Sequence, residues 1–167
     1  LRTVLKGRDR FPGYDLTDSG AGLYSMPNRC SVALASDWGT GTKNAYRVRG
    51  EILSRQPDIT IHLGDVYYVG SQEEFDEYFL GDDDWPRGSL RAAEGITALP
   101  SYALNGNHEM YSGGHAYFRA IRDHFGQEAS FFCVENDHWR IVALDSGYSA
   151  KLFPGLERSE EHTSELQ

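Results

Sequence analysis

The sequence predicts an α/β fold with parallel strand pairing, and two observations carry that expectation. From Arg29 onward, short apolar runs of strand length alternate with longer segments whose apolar residues recur at helical spacing. Three of those runs also end at a polar residue with a glycine beside it: Asp37 with Gly39, Asp65 with Gly64, and Asn107 with Gly106. Such turns are expected where a strand in an open α/β sheet stops sharply at its carboxyl end.

Taken in order, residues 1–28 form a polar lead-in rich in turn formers, with room for one short strand. The small, apolar run Cys30–Ser36 predicts a buried strand and gives way to a loop at Asp37-Trp38-Gly39. Ala45, Val48, Ile52 and Leu53 predict a helix over Asn44–Gln56, with Asn44 as a possible cap and Pro57 as its stop. A second strand over Asp58–Leu63 runs into Gly64-Asp65, and Phe75, Tyr78 and Phe79 mark a helix over Ser71–Phe79. A loop at Gly81–Leu90 precedes a third strand, Ser101–Leu104, which ends at Asn105-Gly106-Asn107-His108-Glu109. His115–Phe125 reads as a helix. Ser130–Glu135 and His138–Leu144 read as strands joined by Asn136-Asp137, a two-residue hairpin signal.

Composition narrows the function classes. The chain has 167 residues, 40% of them apolar, which is enough for a core and argues against wholesale disorder. Its formal charge of −9 argues against a nucleic-acid surface built on net basicity. No run approaches the ~20 apolar residues of a membrane span. Two cysteines, Cys30 and Cys133, are too few for a disulfide-stapled miniature fold; they could pair or stay thiols. Compartment and oligomeric state stay open, between cytoplasmic and exported for the former.

The chemistry concentrates at the three strand ends. Neighbouring strands would bring Asp37, Asp65 and Asn107 to one rim of the sheet. Two carboxylates held close repel unless a cation lies between them. Hard oxygen donors with His108 nearby suit Mg, Mn, Fe or Zn, so the residues themselves point to a metal site with one or two ions. The competing reading makes Asp37 and Asp65 ordinary helix N-caps and Asn107 a turn residue. Among the other candidates, His62 reads as a satisfied core histidine, and His115, His124 and His138 as surface positions. Tyr67 and Trp38 read as packing residues. Asp145 reads as either structural or supporting the site. The seven acidic residues from Glu73 to Asp84 read as a solvated surface.

Asp37-Trp38-Gly39, Gly64-Asp65-Val66-Tyr67-Tyr68 and Gly106-Asn107-His108-Glu109 together resemble the first three signature blocks of calcineurin-like metallophosphoesterases. The resemblance spans roughly Arg29–Leu156, with an incomplete domain over residues 29–157. It implies two β-sheets stacked between helices, a four-layer α/β/β/α sandwich of which this chain would be the N-terminal part. Gly39 stands where most members carry a metal-binding histidine, and Tyr68 follows Asp65 by three residues. That form resembles the purple acid phosphatase branch. The resemblance implies Asp37 and Tyr68 on a first metal, Asp65 bridging, Asn107 on a second, and His108 outside the metal shell as the catalytic group. The implied cofactors are two metal ions, Fe(III) with Fe(II), Zn(II) or Mn(II). The implied reaction is attack of metal-bound hydroxide on a small phosphate ester, and the implied partner is that phosphorylated substrate, with no nucleic acid and no membrane span.

The family's later histidine ligands, including a Gly-His-x-His pair, have no counterpart here, so the chain itself is expected to bind metal weakly and turn over slowly if at all. The other reading is a non-catalytic α/β protein that binds phosphate or a partner. A Rossmann-type nucleotide binder is disfavoured because no Gly-x-Gly-x-x-Gly turn follows a strand. Residues 158–167 have no relation to the preceding grammar and resemble the in-frame translation of a common short-read sequencing adaptor; the alternative is a natural acidic helical tail. Without that tail the charge is −7, and the gene is expected to continue beyond this chain.

Overall fold

The computed structural model describes residues 13–15, 17–81, 84–86 and 99–148. The first twelve residues of the lead-in, most of the 81–90 loop, the boundary at residue 157 and the 158–167 tail lie outside them. The elements are β1 (Leu23–Ser25), β2 (Val32–Ala35), α1 (Lys43–Ser54), β3 (Ile59–His62), α2 (Gln72–Tyr78), β4 (Ser101–Ala103), α3 (Asn107–Tyr111), α4 (His115–His124), β5 (Phe132–Glu135) and β6 (Arg140–Ala143).

The strands form two three-stranded sheets. One has the order β2-β3-β4 and is parallel throughout, as the alternation of strand and helix predicts. The other has the order β1-β5-β6; β1 pairs with β5 in parallel, Leu23 opposite Cys133, and β5 pairs antiparallel with β6. Residues of the lead-in therefore build part of the second sheet.

Alternation along β3 explains how the layers stack. Ile59 and Ile61 point to one face and share a core with Tyr102, Met26, Phe132, Val134 and Ala143, so the two sheets pack against each other. His62 points to the opposite face, where its ring meets Phe79 at 4.7 Å and Trp85 at 4.9 Å. That second core gathers Trp38, Phe75, Ala103, Tyr117, Phe118 and Ile121, most of them from the loops and helices. The outer edge of β4 is closed by a side chain: the buried Gln127 accepts from the Ala103 N–H at 2.9 Å and donates to the Ala103 carbonyl at 2.8 Å. Cys30 and Cys133 are free thiols.

Four local expectations change. Thr42, not Asn44, caps α1, its hydroxyl accepting from the Ala45 N–H. The β5–β6 connection is four residues long, because Glu135 pairs with Arg140 and the Asn136 N–H closes the turn on the Trp139 carbonyl. Asn136 makes this work by accepting from both the His138 and Trp139 N–H groups. Residues 107–111, for which the sequence predicts no helix, form the short helix α3. Asp84, assigned to a solvated acidic surface, is buried and accepts from the Gly81 N–H at 2.9 Å.

Candidate metal centre

The loops after β2, β3 and β4 are tied to one another by their backbones. The Asp37 N–H donates to the Gly64 carbonyl at 2.9 Å, the Tyr67 N–H to the Gly39 carbonyl at 2.9 Å, and Gly39 and Val66 form an isolated parallel bridge. Gly64, at φ 109°, lets the second and third loops touch: a Cβ there would lie 2.5 Å from the Gly106 nitrogen. Any side chain would drive the loops apart. Asp37 and Asp65 themselves adopt left-handed backbone, φ 56° and 72°. Non-glycine residues rarely accept that conformation, and it clusters at functional turns.

The N-cap reading of both aspartates is excluded. Thr42 caps α1 and Ser71 caps α2, while Gly106 occupies the cap position of α3. The Asp37 side chain is exposed and its Oδ1 accepts from the Tyr67 hydroxyl. Asp65 Oδ1 accepts from the His108 N–H at 3.1 Å, linking the second block directly to the third. Asn107 opens α3 and donates its Nδ2 to the Tyr111 hydroxyl at 2.5 Å, which sets the orientation of the amide.

His108 is buried, and its Nδ1 lies 2.7 Å from the Tyr68 carbonyl. A carbonyl can only accept, so Nδ1 carries the proton in this contact. Tyr68 is 76% exposed, and its ring lies edge-on to that of Tyr67 at 5.9 Å. Tyr67, read as packing from the sequence, turns out to reach Asp37 with its hydroxyl and His108 with its ring, centroids 4.2 Å apart.

Glu109 is the organising residue that sequence reasoning passed over. Fully buried, its carboxylate accepts from the Asp65 N–H at 3.2 Å, the Val66 N–H at 2.8 Å and the Gly106 N–H at 2.8 Å. One side chain thus clamps both loops. Burial, reinforced by the Asp65 charge, pushes its pKa up to about 8 against the pull of those N–H groups. The available signal was glutamate three residues after Gly106, the spacing of a capping box.

Elsewhere the sequence expectations divide. Trp38 packs as expected, its indole N–H donating to the Ala45 carbonyl at 2.7 Å. His62 is a core histidine, but Nε2 has no hydrogen-bond partner among the described residues, so it is not satisfied. Asp145 is held by the Ser130 hydroxyl and by the Tyr148 N–H at 2.8 Å. His124 and His138 are exposed and His115 half-buried.

No three His, Cys, Asp or Glu side chains converge into an ion-holding group among the described residues. The side chains that the three tied loops carry are of another composition: the carboxylates of Asp37 and Asp65, the Asn107 amide and the Tyr68 phenol. All are hard oxygen donors, which fit Fe(III), Mn(II), Mg(II) or Zn(II) by chemistry. An open groove of about 760 Å³ between β2 and α1, lined by Val32, Leu34, Val48 and Ile52, contains none of these residues.

Among known proteins, no curated protein and no solved structure matches the chain. The family model for calcineurin-like phosphoesterases matches residues 30–164, which takes in all three converging loops and overlaps the tail. That match covers most of the chain, and the protein belongs to the calcineurin-like phosphoesterase family.

Proposed function

We propose that the site is part of a binuclear metallophosphoesterase centre hydrolysing small phosphate esters, of the purple acid phosphatase type. The observation that carries this reading is the convergence of three strand-end loops on one rim, with the His108 N–H bonded to the Asp65 carboxylate. Asp37 and Tyr68 would hold one ion, Asn107 the other, and Asp65 would bridge them. The mixed α/β architecture, two sheets sharing one core with helices packed about a second, supports this reading.

When bound, such ions neutralise phosphoryl oxygens and make hydroxide available near neutral pH. The chain's own contribution is positional. Glu109 fixes the turn that presents Asp65, and the Tyr68 carbonyl fixes the His108 tautomer. His108 Nε2 can then donate a proton to the departing alkoxide when the imidazole is charged. The sequence contains no Gly-His-x-His pair, so turnover by this chain should be slow.

Two measurements test the reading. Metal-supplemented protein should release p-nitrophenol from p-nitrophenyl phosphate above the protein-free rate, and chelation or Asp65→Asn should remove the excess. A rate that survives Asp65→Asn contradicts the assignment. Iron-loaded protein should also show a visible phenolate-to-Fe(III) absorption band that Tyr68→Phe abolishes; its persistence in that variant removes Tyr68 from the ligand set.

A further inference from the structure

Two tyrosines at this site do the same two things. The Tyr67 hydroxyl donates to Asp37, and the Tyr67 ring lies against His108 with centroids 4.2 Å apart. The Tyr111 hydroxyl accepts from the Asn107 amide at 2.5 Å, and the Tyr111 ring also lies against His108, centroids 5.0 Å apart. Tyr67 comes from the loop after β3, whereas Tyr111 is the last residue of α3, one helical turn beyond Asn107.

We propose that Tyr67 and Tyr111 are paired positioning residues, each aiming one oxygen ligand with its hydroxyl while their rings together fix the His108 imidazole. The inference rests on the metallophosphoesterase reading of the site. Its physical basis is that an exposed carboxylate and a terminal amide each rotate freely unless a partner holds them. A hydroxyl donating to Asp37 Oδ1 fixes the carboxylate plane and leaves Oδ2 for the ion. A hydroxyl accepting from Asn107 Nδ2 decides which end of the amide faces outward, since only the oxygen can bind a cation. Outer partners of this kind typically change metal affinity by about 10–100-fold when removed. The imidazole is held on three sides, by two ring contacts and by the Tyr68 carbonyl. Ligand arms and proton donor are therefore aligned by the same two side chains, which neither bind metal nor touch substrate in this role.

The test is zinc binding to the full chain, followed calorimetrically, in Tyr67→Phe and Tyr111→Phe. Each keeps the ring and deletes only the hydroxyl. Each should weaken zinc binding by about tenfold with the thermal midpoint unchanged. Tyr67→Leu and Tyr111→Leu should in addition shift the His108 Cε1 proton resonance, because ring current is lost, whereas the Phe variants leave it in place. In iron-loaded protein the phenolate band should survive Tyr67→Phe. Asp65→Asn separates the two claims. Loss of zinc binding in Asp65→Asn with parental affinity in both Phe variants overturns the positioning role alone. Parental affinity in Asp65→Asn, or no zinc binding by the parent, overturns the metal centre and the positioning role with it.

Discussion

His62 ends β3 with its ring buried against Phe79 and Trp85 and its Nε2 unpartnered among the described residues. Burial disfavours the charged imidazole and lowers its pKa to about 3, with Asp37 opposing weakly. The folded protein therefore binds fewer protons than the unfolded chain between about pH 6.5 and 3. The stability conferred by the neutral ring is present above pH 6.5 and is lost as pH falls through that window, on the order of 5 kcal/mol in all. Urea titrations across the window should show this loss, and His62→Phe, which removes the titrating group, should flatten it. An equally steep acid loss in His62→Phe contradicts the assignment. At this scale the placement of the candidates was legible where chemistry and punctuation coincide: Asp37, Asp65, Asn107 and His108 stand at glycine-marked strand ends, and those loops are tied to one another. The contacts of Tyr67 and Glu109 were not, because they form only when separate loops meet, and the Tyr111 contact with Asn107 was hidden with the short helix that brings the two together. Nothing in Val66-Tyr67-Tyr68 says which phenol turns toward Asp37.

At the scale of single elements, α2 couples a helix end to the site. Ser71 accepts from the Glu74 N–H at 3.3 Å, and Glu74 returns the contact to the Ser71 N–H at 2.9 Å. The same Glu74 carboxylate also accepts from the Tyr68 and Val69 N–H groups. Ser71→Ala should cost about 1 kcal/mol, the usual loss for a cap. Glu74→Ala should cost about 2 kcal/mol or more, because three N–H groups lose their acceptor. Denaturant midpoints check the order, and equal losses would show that the loop contacts carry no energy. The sequence revealed α1, α2 and α4 by periodicity. It concealed α3, whose five residues are too few for a period and open on Asn107, a turn former. The four-residue connection between β5 and β6 was likewise misread, since Asn136-Asp137 imitates a tighter turn until its register is known.

The whole molecule rests on two sheets that share one core, and that arrangement was only partly readable from the chain. Parallel pairing of β2, β3 and β4 followed from the alternation of elements, but the β1–β5 pairing joins segments more than a hundred residues apart and leaves no local trace. The outer face of the second sheet carries Leu23 and Val142, 45% and 59% exposed, on either side of Cys133. Exposed apolar strands of this kind invite association. The chain should bind a hydrophobic dye such as anilinonaphthalene sulfonate and elute from a sizing column in a concentration-dependent manner. Val142→Glu should lessen both, and no change would show that this face is not responsible.

The central claim, that strand-end loops from one sheet gather a two-ion centre around Asp65, is tested most directly by electron paramagnetic resonance of the chain titrated with Mn(II). The account predicts an exchange-coupled multiline spectrum from two ions sharing the Asp65 carboxylate, reduced to isolated-ion signals in Asp65→Asn. Isolated-ion signals alone at saturating Mn(II), identical in the parent and in Asp65→Asn, would contradict it.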